Sequence, residues 1–374
     1  MNKVRVNLRG SGYDIFIGEG ILSELGKVLS RMGVSQRLVV ISDYNAGKIY
    51  SSVMRHSLRS AGIKAETLLV APGERQKSLK NAGKLYHNLA KMKIAKDSTI
   101  ISLGGGVIGD LAGFVASTYM RGISLIHVPT TLLSMVDASI GGKTAVNLEE
   151  GKNLVGSFYQ PKLVFCDVSC LLTLPPKEMR NGLAEIIKYG VIKYPPLFSL
   201  LEKHVKDLKR PKLDRAKDFK GLMHIWVRII RDSASIKGRI VEIDEKEQKG
   251  PRMFLNFGHT IGHAIESLSE YRGASHGEAV AIGMVAASRI AHKLKMIGDK
   301  PLKRIIGLIE SVNLPSTISK NIEAEDILAK LILDKKVRDG KINFVLPTSI
   351  GSVRIRSDVP VKILREALKE TGAK

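Results

Sequence analysis

Four side chains in this sequence have the types and spacing to hold a divalent transition metal. They are Glu185 in NGLAEIIKYG, His259 and His263 in LNFGHTIGHAIE, and His276 in HGEAVAIGM, in a chain with nine histidines in all. Imidazole nitrogens with a carboxylate oxygen and no nearby thiolate suit zinc or a similar borderline ion; a catalytic site of that kind uses three protein ligands and leaves one position open. If 255–266 is helical, His259 and His263 lie one turn apart on one face and could point at one ion, as in the two-histidine helix of metalloproteases. The glutamate that follows the first histidine in that motif is Thr260 here. A buried pair satisfied by hydrogen bonds is the structural alternative, and His276 before Gly277 and Glu185 before Lys188 weigh against it. Spacing does not choose three ligands from these four.

Two further stretches could handle a nucleotide. STIISL runs into Gly104, Gly105, Gly106, Val107, Ile108 and Gly109, so a strand ends in G-x-G-x-x-G where a helix begins. Glycines there permit a tight turn and close backbone approach, and a helix N-terminus offers free N–H groups to a pyrophosphate. The motif falls well inside the domain rather than after its first strand, and no acid stands clearly at a strand end about twenty residues later. If a dinucleotide binds, Asp43, at the end of RLVVISD, is the natural candidate for its ribose contact. In VPTTLLSMVDASIGGKTAVN and GKNLVGSFYQP, Thr130 and Thr131 follow a strand, and Asp137, Lys143, Lys152 and Asn153 sit among glycines that would let a loop wrap a polar ligand.

The elements that must position these groups differ between the two halves. Runs at 4–8, 13–18, 37–43, 65–70, 98–106, 123–129 and 162–167 read as strands, with helices near 21–32, 45–60, 76–92 and 107–118 between them. That alternation predicts a Rossmann-like α/β domain with a mostly parallel sheet, the first two runs forming an antiparallel hairpin at its edge. After LLTLPPKE the texture changes to long amphipathic helices: 178–193, 197–209, 219–241, 258–270, 276–297, 300–312 and 324–334. Strands at 341–347 and 351–357 close the chain. Pro175 and Pro176 mark the change, giving a domain of 1–176 and a mainly α-helical domain of 177–374.

Composition is consistent with two cores: 374 residues, 44% of them hydrophobic. The N-terminus has no apolar leader, and the longest apolar stretch, near 279–287, is too short for a membrane span. The sequence reads as a soluble cytoplasmic protein with two reduced cysteines, Cys166 and Cys170. A net charge of +23 raises the question of nucleic acid. Its basic residues are spread along the chain, however, and the densest stretch, 203–220, alternates them with Asp207, Asp214 and Asp218. That pattern suits a solvated helical face and a small anionic substrate, not a nucleic acid or a membrane.

The motifs GGGVIGDLAGFVASTYMRG, VPTTLLSMVDASIGGKTAVN, GKNLVGSFYQP, NGLAEIIKYG, LNFGHTIGHAIE and HGEAVAIGM, in that order, resemble those of the 3-dehydroquinate synthase family of sugar phosphate cyclases. The resemblance covers nearly the whole chain. It implies an N-terminal NAD-binding domain, a C-terminal metal- and substrate-binding domain with the active site in the cleft between them, and a homodimer. It also implies bound NAD and a divalent metal, zinc or cobalt, acting on 3-deoxy-D-arabino-heptulosonate 7-phosphate. By motif position it makes Glu185, His259 and His276 the metal ligands. Asp43, Glu74, Lys77, Gly105, Gly106, Asp110, Thr130, Thr131, Asp137, Lys143, Lys152, Thr173 and Glu178 match NAD-contacting positions. Lys143, Asn153, Lys188, Lys237, Arg252, Asn256 and His263 match substrate positions, and Arg121 matches an arginine that reaches the partner subunit's phosphate site.

The implied reaction oxidises a secondary alcohol with NAD, eliminates phosphate beside the new ketone, reduces the ketone again and closes a carbocycle. Arg252 and Lys237 would hold the substrate carboxylate. That favours dehydroquinate formation over a cyclase making a valiolone or an inosose, and cofactor recycling separates the reaction from that of a metal-dependent alcohol dehydrogenase. Cys170 stands where relatives often carry an aromatic. One of Lys335 and Lys336 is a further candidate phosphate contact.

Overall fold

A computed structural model of the chain describes residues 1–34, 37–208, 216–247, 250–268, 274–318, 321–337 and 342–374, without the side chains of 216–221 and 334–337. It divides into two compact units, Met1–Leu174 with Arg215–Lys246, and Pro175–Asp214 with Glu247–Lys374.

The first unit is built on strands β1 (Asn2–Val6), β2 (Tyr13–Gly18), β3 (Arg37–Asp43), β4 (Lys64–Val70), β5 (Thr99–Gly104), β6 (Ser124–Pro129) and β9 (Leu163–Asp167). They form one sheet in the order β1-β2-β9-β6-β5-β3-β4. Every pairing is parallel except β1 with β2, the expected antiparallel edge hairpin. Side chains along the buried strands alternate between two cores, as a period of two requires. Leu38, Val40, Ile101 and Leu103 meet α1 (Leu25–Arg31) and α2 (Tyr44–Ser60) on one face. Val39, Ile41 and Ile100 meet α3 (Leu79–Lys91) and α4 (Gly106–Thr118) on the other. The two flanking layers decide where a ligand can sit. The helix leaving β3 lies on one face and the helix leaving β5 on the opposite face, so the carboxyl ends of these adjacent strands form a topological switch point. The glycine turn therefore follows the interior strand β5, and Asp43 ends its neighbour β3. This explains its place deep inside the domain.

The short antiparallel pair β7 (Lys143–Val146) and β8 (Val155–Phe158) was read from sequence only as a wrapping loop. A larger difference concerns α7 (Ala216–Ile243). The sequence boundary at 176/177 puts this helix in the second domain, whereas it groups with the first unit. Its apolar face, with Trp226, Ile229, Ile230 and Val241 buried, packs along β1 and β2. The backbone N–H of Asn7 donates to Glu242 Oε1 at 2.5 Å. Amphipathic periodicity shows that a face is buried but not against which partner.

The second unit contains α5 (Pro176–Ile192), α6 (Pro195–Leu208), α8 (His259–Leu268), α9 (His276–Lys293), α10 (Asp299–Ser311), α11 (Ala324–Val337) and α12 (Val361–Glu370). The antiparallel hairpin β10 (Phe344–Ser349) and β11 (Ser352–Arg356) packs among them. Helices α5 and α9 are buried on almost every side, as helices apolar all round must be. A close approach sets the crossing of α8 and α9. Gly258 has φ +81°, and a Cβ on Gly283 would stand 1.9 Å from the Gly258 carbonyl oxygen. Among the described residues, no helix is long and apolar enough to cross a membrane.

Candidate active site

In the second unit, Glu185 lies on α5 with no exposed surface. Around it the fold delivers one histidine at the first residue of each of two helices. His259 opens α8, where the left-handed Gly258 turns the chain. His276 opens α9 inside a capping box in which Ser275 and Glu278 satisfy each other's backbone N–H groups. Asn181, one helical turn before Glu185, accepts the Gly277 N–H at 3.1 Å and so ties the start of α9 to α5. The Nε2 atoms of His259 and His276 both stand 3.4 Å from Glu185 Oε1.

The outer nitrogens explain why the inner ones are free to coordinate. His259 Nδ1 is 3.2 Å from the Phe257 carbonyl, and His276 Nδ1 is 3.4 Å from Glu266 Oε2. Each Nδ1–H donates outward, which aims Nε2 at the carboxylate, where it can coordinate once deprotonated, the second-shell pattern of metal-ligating histidines. Among the described residues, the near partners of the Glu185 oxygens are Lys188 Nζ against Oε2 and the two Nε2 atoms beside Oε1. Two imidazole nitrogens gathered with one fully buried carboxylate oxygen match the donor set of a catalytic zinc-type ion. The residues present thus fit the metal.

Charges in the cluster follow from this crowding. Burial disfavours the Glu185 carboxylate, but Lys188 and His259 outweigh it and hold Glu185 well below the usual carboxylate range. Burial and the nearby Lys188 ammonium lower His259, keeping it neutral. Burial also works against charge on His276, yet its bonds to Glu185 and Glu266 raise it to about 10.

His263 belongs to a different grouping. Its ring is perpendicular to that of His259 with centroids 5.3 Å apart, so the pair does share a face as i, i+4 spacing requires. Among the described residues, two sets have their ligand atoms within 4.8 Å of one another: Glu185, His259 and His276, and His263, Glu266 and His276. In the second set Glu266 already engages His276 Nδ1 and His263 is exposed, so the first set carries the stronger fit. Glu266 and Asn181 were given no role from sequence. Glu266 was findable, since it follows His263 by three residues and His259 by seven on one helical face. Arg252, fully buried, and Asn256 lie in the 3₁₀ turn Pro251–Asn256 just before Gly258. Glu178, in the first turn of α5, accepts from Asn181 Nδ2 at 3.2 Å.

In the first unit Asp43, Gly105 and Thr130 with Thr131 stand at the carboxyl ends of β3, β5 and β6. Gly105 is the extended N-terminal cap of α4, and no side chain caps the helix. The first N–H groups of α4 are consequently without side-chain acceptors, the arrangement that receives a pyrophosphate. A Cβ at Gly105 would come within 3.0 Å of the Thr131 methyl. The Thr130 N–H donates to the Gly104 carbonyl at 3.0 Å, joining the ends of β5 and β6. Asp43 Oδ1 caps α2 by accepting from the N–H groups of Asn45 and Ala46 at 2.8 and 2.9 Å.

The remaining candidates of this unit fall into smaller groups. Buried Lys77 lies 2.5 Å from Asp110 Oδ2 and 3.9 Å from Glu74, and Asn147 Nδ2 donates to Glu74 at 2.8 Å. Burial raises Asp110 above the ordinary aspartate value despite Lys77. Asn147 Oδ1 accepts from the backbone N–H of Asn153, which is left-handed at φ +60°. Lys237, on α7, pairs with Asp137 at 2.8 Å and also donates to its carbonyl. Thr173 hydrogen-bonds Tyr50, whose hydroxyl also donates to the carbonyl of buried Cys170. Gly106 starts α4, Lys143 starts β7, Lys152 lies in the turn after it, and Arg121 ends the turn after α4. The side chains of Lys335 and Lys336 lie outside the described residues, as does part of the basic stretch 203–220.

Known proteins match this chain along nearly its whole length. The 3-dehydroquinate synthase of Crocosphaera subtropica is 45% identical over 367 residues, 98% of each chain. That of a Thermoanaerobacter species is 42% identical over 365 residues, covering 98% of this chain and 99% of the relative. Among solved structures, 2-epi-5-epi-valiolone synthase from Streptomyces hygroscopicus subsp. jinggangensis, with NAD+ and Zn2+ bound, superposes with a TM-score of 0.85 at 25% identity over 98% of each chain. A 2-deoxy-scyllo-inosose synthase, complexed with carbaglucose-6-phosphate, NAD+ and Co2+, gives 0.82 at 26% identity over 99% of this chain and 100% of that one. A butanol dehydrogenase of Thermotoga maritima shares the fold at a TM-score of 0.65 and 15% identity, over 100% of each chain. Residues 67–181 match the family model described as 3-dehydroquinate synthase N-terminal, and residues 182–337 match that described as 3-dehydroquinate synthase C-terminal. The chain belongs to the 3-dehydroquinate synthase family.

Proposed function

We propose that this chain converts 3-deoxy-D-arabino-heptulosonate 7-phosphate to 3-dehydroquinate and phosphate in the shikimate pathway, as a cytoplasmic homodimer using NAD and a divalent metal, zinc or cobalt. The observation that carries the metal part is the buried Glu185 carboxylate facing two inward-turned Nε2 atoms. NAD, when bound, would supply a hydride acceptor and donor for the substrate's secondary alcohol, and the metal a Lewis acid that would lower the pKa of that hydroxyl.

The chain's own residues bind, orient and hold charge. Glu185, His259 and His276 would hold the ion, with Glu266 and the Phe257 carbonyl fixing the histidine tautomers. The uncapped start of α4 and Gly105 and Gly106 would receive the pyrophosphate. Asp43, Thr130, Thr131, Glu74, Lys77, Asp110, Asp137, Lys152, Thr173 and Glu178 would make the remaining NAD contacts, with Lys143 shared between NAD and substrate. Buried Arg252 has a planar fork suited to a carboxylate's two oxygens, and Lys237 and Asn256 would assist it. Lys143, Asn153, Lys188 and His263 would surround the polar and phosphate groups of the substrate, and Arg121 would reach the partner subunit's phosphate. The departing phosphate itself would take the proton made acidic by the adjacent ketone.

The substrate assignment is tested by supplying purified protein with the heptulosonate phosphate and measuring free phosphate and dehydroquinate. Equal release of both is the expected result. Turnover of heptulose 7-phosphate but not of the carboxylated sugar would transfer the chain to the valiolone-forming cyclases.

The Glu266 assignment has its own consequence. Glu266→Gln keeps the side chain's size but weakens the bond to His276 Nδ1, so metal affinity should fall by about 10–100-fold, the usual effect of losing an outer-shell partner. Competition with a chromophoric chelator measures this. Unchanged affinity would remove Glu266 from the site.

A further inference from the structure

The backbone around Arg121 is held in a conformation that its residue types disfavour. Met120 at φ +49° and Arg121 at φ +60° are consecutive left-handed residues with side chains, and Gly122 follows at φ +105°. L-residues visit this region singly and seldom, and such outliers persist only where their surroundings over-determine them. The surroundings do so here. The Tyr119 hydroxyl donates to the Ile94 carbonyl at 3.1 Å, and its ring stacks on Tyr86. On the far side of the turn, the Tyr159 hydroxyl donates to the Ile123 carbonyl at 2.7 Å. Lys96 spans the turn itself: its ammonium donates to the Met120 carbonyl at 2.9 Å and also to the Gly122 carbonyl. These two carbonyls flank Arg121 on either side. Arg121 is exposed.

We propose that Lys96 is a positioning residue, whose ammonium locks the left-handed Met120–Arg121 turn so that the Arg121 guanidinium is presented, pre-ordered, to a phosphate of the substrate. The inference rests on the reading of Arg121 as a phosphate contact across the dimer. A lysine bridging the carbonyls on both sides of one residue fixes that residue's backbone without touching its side chain. Pre-ordering lowers the conformational entropy lost when the arginine engages an anion. Losing it should weaken substrate binding without altering the chemical step.

The test is a double-mutant cycle on the full-length, NAD- and metal-loaded enzyme with Lys96→Met, Arg121→Ala and the double variant, plus Lys96→Arg as a conservative rescue. Arg121→Ala should raise KM for the heptulosonate phosphate, and the inhibition constant of inorganic phosphate, by about 30-fold, as expected for losing a charge-assisted bond. Lys96→Met should raise both by about fivefold with kcat within about twofold of wild type, and add nothing in the Arg121→Ala background. Lys96→Arg should restore most of the lost affinity. Circular dichroism and thermal melting establish that each variant is folded. If Arg121→Ala raises KM but Lys96→Met does not, or their effects multiply independently, the role of Lys96 is overturned while that of Arg121 stands. If Arg121→Ala leaves KM unchanged, the Arg121 reading falls and the Lys96 proposal falls with it.

Discussion

His276→Ala is expected to leave the protein folded, depleted of its divalent ion and inactive. The imidazole is about one third exposed, so truncation opens a space that water can fill, and the capping box formed by Ser275 and Glu278 is left in place. With one of three ligands gone, metal affinity should fall by more than the 10–100-fold typical of an outer-shell loss, on the order of 10³-fold. Losing several kcal/mol of Lewis-acid stabilisation should reduce kcat by at least about 10³-fold. Metal content by atomic emission, read beside circular dichroism, separates this from unfolding. Full metal content in the folded variant would refute the ligand set. The same experiment on Glu185 is less clean, because removing that carboxylate strands Lys188 as a buried charge, which typically costs about 3–5 kcal/mol.

Gly283→Ala should have the second large effect, through the scaffold. The added methyl would stand 1.9 Å from the Gly258 carbonyl oxygen and 2.9 Å from the Gly262 nitrogen. These are backbone atoms, so α8 must shift away from α9, carrying His259 off its position 3.4 Å from Glu185. A loss of about 3 kcal/mol is expected, at the upper end for overpacking, with weaker metal binding in the protein that remains folded. Gly307→Ala is the control. Gly307 lies within α10 and a Cβ there meets nothing within 4 Å, so a gain of up to about 1 kcal/mol is expected from helix propensity. Chemical denaturation reads both. A neutral Gly283→Ala would mean that the α8–α9 approach does not fix the site.

The parts of the fold that were legible are those where local pattern and burial agree. Strands 13–18 and 37–43 coincide with β2 and β3 to the residue because β-branched alternation between two cores constrains every position. The β7–β8 hairpin escaped notice because its strands are four residues each and carry little apolar signal. Helix α12 was missed despite Pro360 before an amphipathic run, a start signal that was present. The partner of α7 was not legible, since a helix's periodicity identifies a buried face without naming what covers it.

The site divides in the same way. Residue types suggested a metal, and the i, i+4 spacing correctly placed His259 and His263 on one face, whereas the group around Glu185 joins His259 with His276. The convergence of His259 with His276 depends on the contact of Gly283 with Gly258, a long-range packing event that no periodicity encodes. Family resemblance, not spacing, distinguished Glu185, His259 and His276, and the geometry independently gathers those three around one carboxylate oxygen. The nucleotide edge was better marked. Its glycines looked misplaced only because the sequence does not reveal that β5 and β3 form the switch point.

Most of the +23 charge has no counterpart in the site, since a substrate with one carboxylate and one phosphate, together with NAD, needs only a handful of cations.

The central claim is that NAD is used and returned within each turnover, and cofactor stoichiometry tests it most directly. The metal-loaded enzyme should be given NAD far below the concentration of 3-deoxy-D-arabino-heptulosonate 7-phosphate, with phosphate, dehydroquinate and reduced nicotinamide followed together. Many equivalents of phosphate and dehydroquinate per NAD, in equal amounts and with no accumulation of reduced nicotinamide, is the expected result. Reduced nicotinamide accumulating in step with substrate consumption, with turnover ceasing when NAD is exhausted, would contradict it.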